Sequence, residues 1–211
     1  ITGTSMGAIV GGLYAAGYTT DEMEELFRSE EFYFWSTGKI QEEYRYYFKQ
    51  PEDNPSWIEI RMERKDGKVR ILPPTNIIPQ FQMDFTFMEL MAPTTAIIGG
   101  DFDQLMVPFR CVATEVHRNK QVVLGSGDLG EAIRASMTFP LIFKPIKING
   151  ELLFDGGIVN NFPHDVMKEV FKPDIIIGHK VVPDPQDAEA DDIIRQVTNM
   201  VQRPTDYDIS P

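Results

Sequence analysis

Gly3-Thr4-Ser5-Met6-Gly7 sets one serine between two glycines, directly ahead of the small and apolar run AIVGGLYAAG. This G-x-S-x-G spacing is that of a nucleophile elbow, where a strand turns sharply into a helix and presents a serine hydroxyl at the bend. An ordinary glycine-flanked turn has the same spacing. In an elbow, the positions two before and two after the serine crowd the backbone, so Gly3 and Gly7 are expected to be needed there. Gly7, Ala8, Gly11 and Gly12 would let the helix lie close against a sheet. The helix N-terminus would direct partial positive charge at the serine and at any oxyanion beside it.

A nucleophilic serine needs a base. The chain has three histidines, His117, His164 and His179. His117 stands beside Arg118 at a strand end and is expected to be solvated. His179 lies within DIIIGHKVV and reads as a strand histidine. His164 follows Pro163 at a helix start. Asp155 is the stronger candidate: it ends the apolar ELLF and precedes Gly156-Gly157. A carboxylate at a strand end, on a glycine turn, can reach a neighbouring site. A plain turn aspartate is the alternative. A Ser-Asp-His triad in the chain order of α/β-hydrolases would use Ser5, Asp155, and His164 or His179.

The elements that would position these groups are legible. A helix is expected from Ser5 to Ala16, stopped by Gly17. Thr19 and Glu22 form a capping box for a second helix running to about Ser29. WIEIRMERKDGKVRIL alternates on both sides of Asp66-Gly67 and predicts a hairpin. QFQMDFTFMELM has helical spacing. MVPFRCVATEV and QVVL read as strands. Asp128 caps a helix through Met137, which Pro140 stops. IKING-ELLF reads as a second hairpin, and Pro163 opens a helix to Phe171. DIIIGHKVV is an unalternating β-branched run, expected to be a strand covered on both faces. A last helix is expected over 191–202, followed by a frayed tail, 203–211. Helices alternating with buried strands indicate an α/β sandwich. Ile1-Thr2 is short for the strand an elbow requires, so the expectation is that the domain's first strand lies upstream.

Composition bounds the function. The chain has 211 residues, 42% hydrophobic and 11% aromatic, enough for one sizeable core. No run of about 18 apolar residues occurs, and no signal peptide is visible. The formal charge of −12, without a basic stripe, argues against nucleic acid as a partner. It also argues against electrostatic docking on anionic lipid, though not against lipid as a substrate. The single cysteine, Cys111, excludes an internal disulfide and reads as a buried strand thiol. No zinc-like cluster appears.

Taken together, GTSMGAIVGGLYAAG, VPFRCVATEV, EAIRASMTFPLIFKP, NGELLFDGGIVNNFP and DIIIGHKVV resemble the patatin-like phospholipase family, in the family's order. The resemblance implies a three-layer α/β sandwich with a mainly parallel central sheet over 1–202, residues 38–100 being a family-variable insert. It implies a Ser-Asp dyad of Ser5 and Asp155, with the aspartate acting directly as base and no histidine, metal or organic cofactor required. It implies an oxyanion site made by the Met6 N–H and by a glycine-rich loop that would lie upstream of Ile1. Each missing donor would cost about 2.7–4 kcal/mol of transition-state stabilisation. Ser136 and Asn160-Asn161 are expected to be structural, positioning loops around Asp155. The implied substrate is a fatty-acyl ester or phospholipid, with transient membrane-surface contact. EEFYFWST and QFQMDFTF could line an acyl groove or pack in the core. Similarity to barrel-linked bacterial members suggests an envelope or secreted location. A catalytically inactive binding or passenger module of a larger envelope protein is the alternative to an enzyme.

Overall fold

The computed structural model describes residues 1–39, 61–65, 68–72 and 78–181, with positions 196 and 199. The chain opens with β1 (Thr2–Thr4), α1 (Met6–Ala16), α2 (Thr20–Arg28) and α3 (Glu30–Thr37). Gly17 ends α1 in the left-handed conformation, as the absence of a Cβ allows. The capping box starts α2: the Thr19 hydroxyl accepts from Glu22 N–H, and the Glu22 carboxylate accepts from Thr19 N–H at 2.8 Å. Ser29 then caps α3, a helix not foreseen in the sequence, by accepting from Phe32 N–H at 3.1 Å.

β2 (Arg61–Lys65) and β3 (Lys68–Leu72) form the expected antiparallel pair, with the Asp66-Gly67 turn outside the described residues. α4 (Phe81–Ile98) is longer than its apolar spacing suggested and runs through Pro93 to Gly99. Next come β4 (Arg110–Glu115), β5 (Lys120–Leu124), α5 (Leu129–Ser136), β6 (Ile146–Ile148) and β7 (Glu151–Asp155). Asp128 caps α5 by accepting from Glu131 N–H at 2.8 Å. Asn149 and Gly150 join β6 to β7, both at positive φ, the conformation a two-residue hairpin turn demands. α6 (His164–Val166) continues as a π-helical turn, Met167–Phe171.

These elements build an α/β sandwich around a five-stranded mixed sheet. Among the described strands, β1 and β4 pair in parallel, and the β4–β5, β4–β7 and β6–β7 pairs are antiparallel. β4 is the central strand, buried on both faces. Cys111 and Ala113 join the main core with α1, α4 and α5. Residues Arg110 and Val112 alternate to the other face, where the Arg110 guanidinium lies 5.3 Å over the Phe171 ring. The His164–Phe171 segment therefore flanks that second face.

One expected strand is not there. Residues 175–181 form no strand, and Ile175, Ile177 and Val181 are largely exposed. Their β-branched composition suits a covered strand, but among the described residues no neighbour pairs with them. Composition expresses a preference; pairing requires a partner edge. The helix expected over 191–202 lies outside the described residues except at Gln196 and Asn199, which are helical. The tail at 203–211 lies outside them too.

Candidate active site

β1 and β7 meet end to end along one edge of β4. β5 occupies the opposite edge, over Cys111–Glu115. β1 runs parallel to β4 and finishes with Thr4 opposite Val112. β7 runs antiparallel and finishes with Asp155 opposite the next residue, Ala113. The two strands thus arrive from opposite directions and leave β4 at adjacent rungs. That brings Ser5 and Asp155 together.

Ser5 sits at φ 55°, ψ −121°, a conformation that costs a non-glycine residue about 1–3 kcal/mol. Its carbonyl accepts from Ala8 N–H at 2.9 Å and Ile9 N–H at 3.2 Å, the first bonds of α1. A Cβ on Gly3 would stand 2.2 Å from the Gly7 carbonyl oxygen, so the elbow requires glycine there. A Cβ on Gly7 would meet nothing within 4 Å. The sequence expectation for Gly7 is therefore corrected: its backbone crowds Gly3, while its own missing side chain relieves no clash. Gly156 supplies the second tight approach, since a Cβ there would lie 2.2 Å from the Val112 carbonyl oxygen and 3.0 Å from Thr4 Cγ2.

Asp155 is buried, 4% exposed. Its carboxylate accepts from Gly157 N–H at 2.7 Å and is near enough to the Ser5 hydroxyl for that group to pull its pKa down. Burial pushes its pKa up to about 6, against the opposing pull of the Gly157 N–H and, more weakly, the Ser5 hydroxyl. Its backbone is held on both sides. Asp155 N–H donates to Thr138 O at 2.8 Å, and the Thr114 hydroxyl donates to Asp155 O at 2.8 Å.

The neighbours divide between the two strand ends. Asn160 anchors the turn after Asp155: its N–H donates to Gly156 O at 2.8 Å, and its Nδ2 to Gln121 Oε1 at 2.8 Å and Asp165 Oδ1 at 2.7 Å. Its carbonyl accepts from the Thr4 hydroxyl at 2.9 Å. Asn161 Oδ1 would lie 3.0 Å from a Cβ on Gly157. Ser136 touches the serine side: Ser5 N–H donates to its Oγ at 3.1 Å, and that hydroxyl donates to Val112 O at 2.6 Å. Met6, the first residue of α1, follows Ser5. Its N–H belongs to the first helical turn, where amides have no intrahelical acceptor.

The histidines are dispersed. His117 is exposed beyond β4, and His179 is exposed within 175–181. His164 is half-buried, with Nδ1 3.2 Å from Phe162 O. Cys111 is a buried strand thiol, its pKa pushed well up by burial. Most aromatic side chains of α3 and α4 pack inward: Trp35 makes edge contacts with Phe32 and Phe87. Tyr33, Phe81 and Phe85 are the exceptions, each about half exposed or more.

Sequence reasoning missed Arg134. It is buried in α5, donates to Asp84 at 2.7 Å and Thr138 Oγ1 at 2.6 Å, and lies over the Phe143 ring. Thr138 is the residue whose carbonyl holds Asp155 N–H. The available signal was a lone charge within AIRASM; its partner on α4 has no local signature.

A family model described as patatin-like phospholipase matches residues 1–168, which include both Ser5 and Asp155. NTE family proteins of Mycobacterium bovis and Mycobacterium tuberculosis are 30% identical over 167 residues, covering 77% of this chain and 35% of theirs. A lysophospholipase of Cryptococcus neoformans is 30% identical over 82 residues, 39% of this chain and 5% of its own. The chain thus spans about a third of the length of its mycobacterial relatives. With the strand-to-helix turn at Ser5, the aspartate ahead of Gly156-Gly157 and the matched region coinciding, the chain belongs to the patatin-like phospholipase family.

Proposed function

We propose that this chain is a serine acyl hydrolase acting on fatty-acyl esters of lipids, with Ser5 as nucleophile and Asp155 as its base. One observation carries the reading: strand register brings Ser5, at its positive-φ bend, beside a buried carboxylate whose pKa burial pushes up to about 6. A carboxylate at that value is roughly nine-tenths ionised at pH 7, yet more basic than an ordinary aspartate. The lysophospholipase among the relatives supports a lipid ester as the substrate class.

In this mechanism Ser5 Oγ attacks the ester carbonyl carbon as its proton passes to Asp155. The tetrahedral oxyanion forms beside the N-terminus of α1, where the Met6 N–H and the helix dipole face it. Collapse breaks the ester C–O bond, and the departing alcohol takes the proton from Asp155. Water then gives a proton to Asp155 and attacks the acyl carbon. Release of the fatty acid returns the proton to Ser5 Oγ.

The test is fatty-acid release from lysophosphatidylcholine micelles by the full-length protein and its Ser5→Ala variant. Release by the parent that falls to background in the variant supports the reading. Equal release by both contradicts it.

A further inference from the structure

Ser136 occupies an unusual place between β1 and β4. In a parallel ladder, amides of one strand bond alternately to the carbonyls of the other. The phase here is set by Arg110 N–H, which donates to Ile1 O at 3.0 Å. With Thr4 opposite Val112, that phase directs the next amide, Ser5 N–H, at Val112 O. The Ser136 hydroxyl bridges these two groups, accepting from Ser5 N–H at 3.1 Å and donating to Val112 O at 2.6 Å. Ser136 is fully buried at the end of α5, so no solvent competes for its hydroxyl.

We propose that Ser136 is a positioning residue for the nucleophile: its hydroxyl bridges the last rung between β1 and β4 and holds Ser5 in the elbow conformation that keeps Oγ on Asp155. The inference rests on the hydrolase reading above. Two peptide planes flank Ser5 and together fix its φ and ψ. The plane that follows is pinned by α1 through the Ser5 carbonyl. The plane that precedes is pinned at its N–H by Ser136. Without the second anchor, Ser5 N–H loses the bond that opposes relaxation of the positive φ. The bridge also spaces β1 from β4 where Gly156 packs against Val112 O. Closing the rung directly would press Ser5 toward the turn that carries Asp155.

The test measures the rate at which a fluorophosphonate labels Ser5, as a function of pH, in the full-length protein and its Ser136→Ala and Ser136→Cys variants. Labelling by Ser136→Ala is expected to fall about 100-fold, the usual effect of misplacing a reacting group by about 1 Å. The pH midpoint of the residual labelling is expected to rise, because the Ser5 hydroxyl, which lowers the Asp155 pKa, moves away from the carboxylate. Ser136→Cys keeps the shape in a slightly larger side chain but offers only a weak donor and acceptor, so it is expected to show the same upward shift with a smaller loss of rate. A folded Ser136→Ala variant labelled at the parent rate overturns the proposal; if that variant does not fold, the parent rate in Ser136→Cys does so. A loss of rate with an unmoved midpoint also overturns it, since general loosening would produce that. An unlabelled parent would instead remove the hydrolase reading itself.

Discussion

Ser5 and Asp155 leave two strands that abut on one edge of β4, with Thr4 opposite Val112 and Asp155 opposite Ala113. The serine and the carboxylate are therefore placed by strand register, and the short contacts of Gly3 and Gly156 allow the chain to turn away there. Changes that separate β1 from β7 should lower reactivity even when neither side chain is altered.

The raised Asp155 pKa makes a linked prediction for activity and stability. Only the ionised carboxylate can take the serine proton, so activity should rise through about pH 6. Stability runs the other way. A carboxyl that binds its proton more tightly when folded contributes stability below its unfolded pKa, and that contribution is lost as pH rises through about 6. The rise from 3.8 to about 6 corresponds to roughly 3 kcal/mol. Asp155→Asn should thus be inactive and, at pH 8, more stable than the parent by up to that amount, with the gain vanishing near pH 4. Denaturant unfolding at the two pH values checks this.

The two elbow glycines should behave unequally. Gly3→Ala forces a Cβ into the Gly7 carbonyl and should cost about 1–3 kcal/mol or more, as overpacking does. Gly7→Ala meets open space on a helix and should be neutral or stabilising by up to about 1 kcal/mol. Thermal unfolding of both variants separates the two cases.

Arg134 connects α5 to α4 and steadies Thr138. Arg134→Ala should destabilise the fold by about 1–3 kcal/mol, since it removes packing on Phe143 and the bonds to Thr138 and to Asp84, which stays partly exposed. Arg134→Lys should recover little of the loss, because one ammonium cannot reproduce the fork that reaches both Asp84 and Thr138. Unfolding midpoints of the two variants give the comparison.

His164 is the one histidine whose place at a helix start fits a triad. In the proposed mechanism Asp155 takes the Ser5 proton directly, so no step calls for an intervening imidazole. His164→Ala should keep its hydrolytic rate within about threefold, a change too small for loss of a general base, which is worth about 100-fold or more. Initial rates on a soluble acyl ester decide it.

Local signals carried most of the legible structure. The Thr19–Glu22 box, the Asp128 cap, the Asn149-Gly150 turn and the glycine punctuation of α1 act within a few residues, so their meaning is contained in the sequence. As candidates, Ser5 and Asp155 also rest on local pattern: Ser5 on G-x-S-x-G ahead of a helix, Asp155 on the apolar ELLF running into Gly156-Gly157. What stayed hidden depends on distant partners. The Ser136 bridge needs Ser5 and Val112 to be neighbours, and Arg134 needs Asp84. The covered strand expected at DIIIGHKVV shows the reverse error, because β-branched composition cannot report whether a pairing edge exists.

The most direct measurement of the central claim is fluorophosphonate labelling of the full-length protein with mapping of the modified peptide, repeated on Asp155→Asn. The account predicts an adduct on Ser5 that is lost in the variant while the variant stays folded. A folded parent that forms no adduct on Ser5, or an Asp155→Asn variant labelled as fast as the parent, would contradict it.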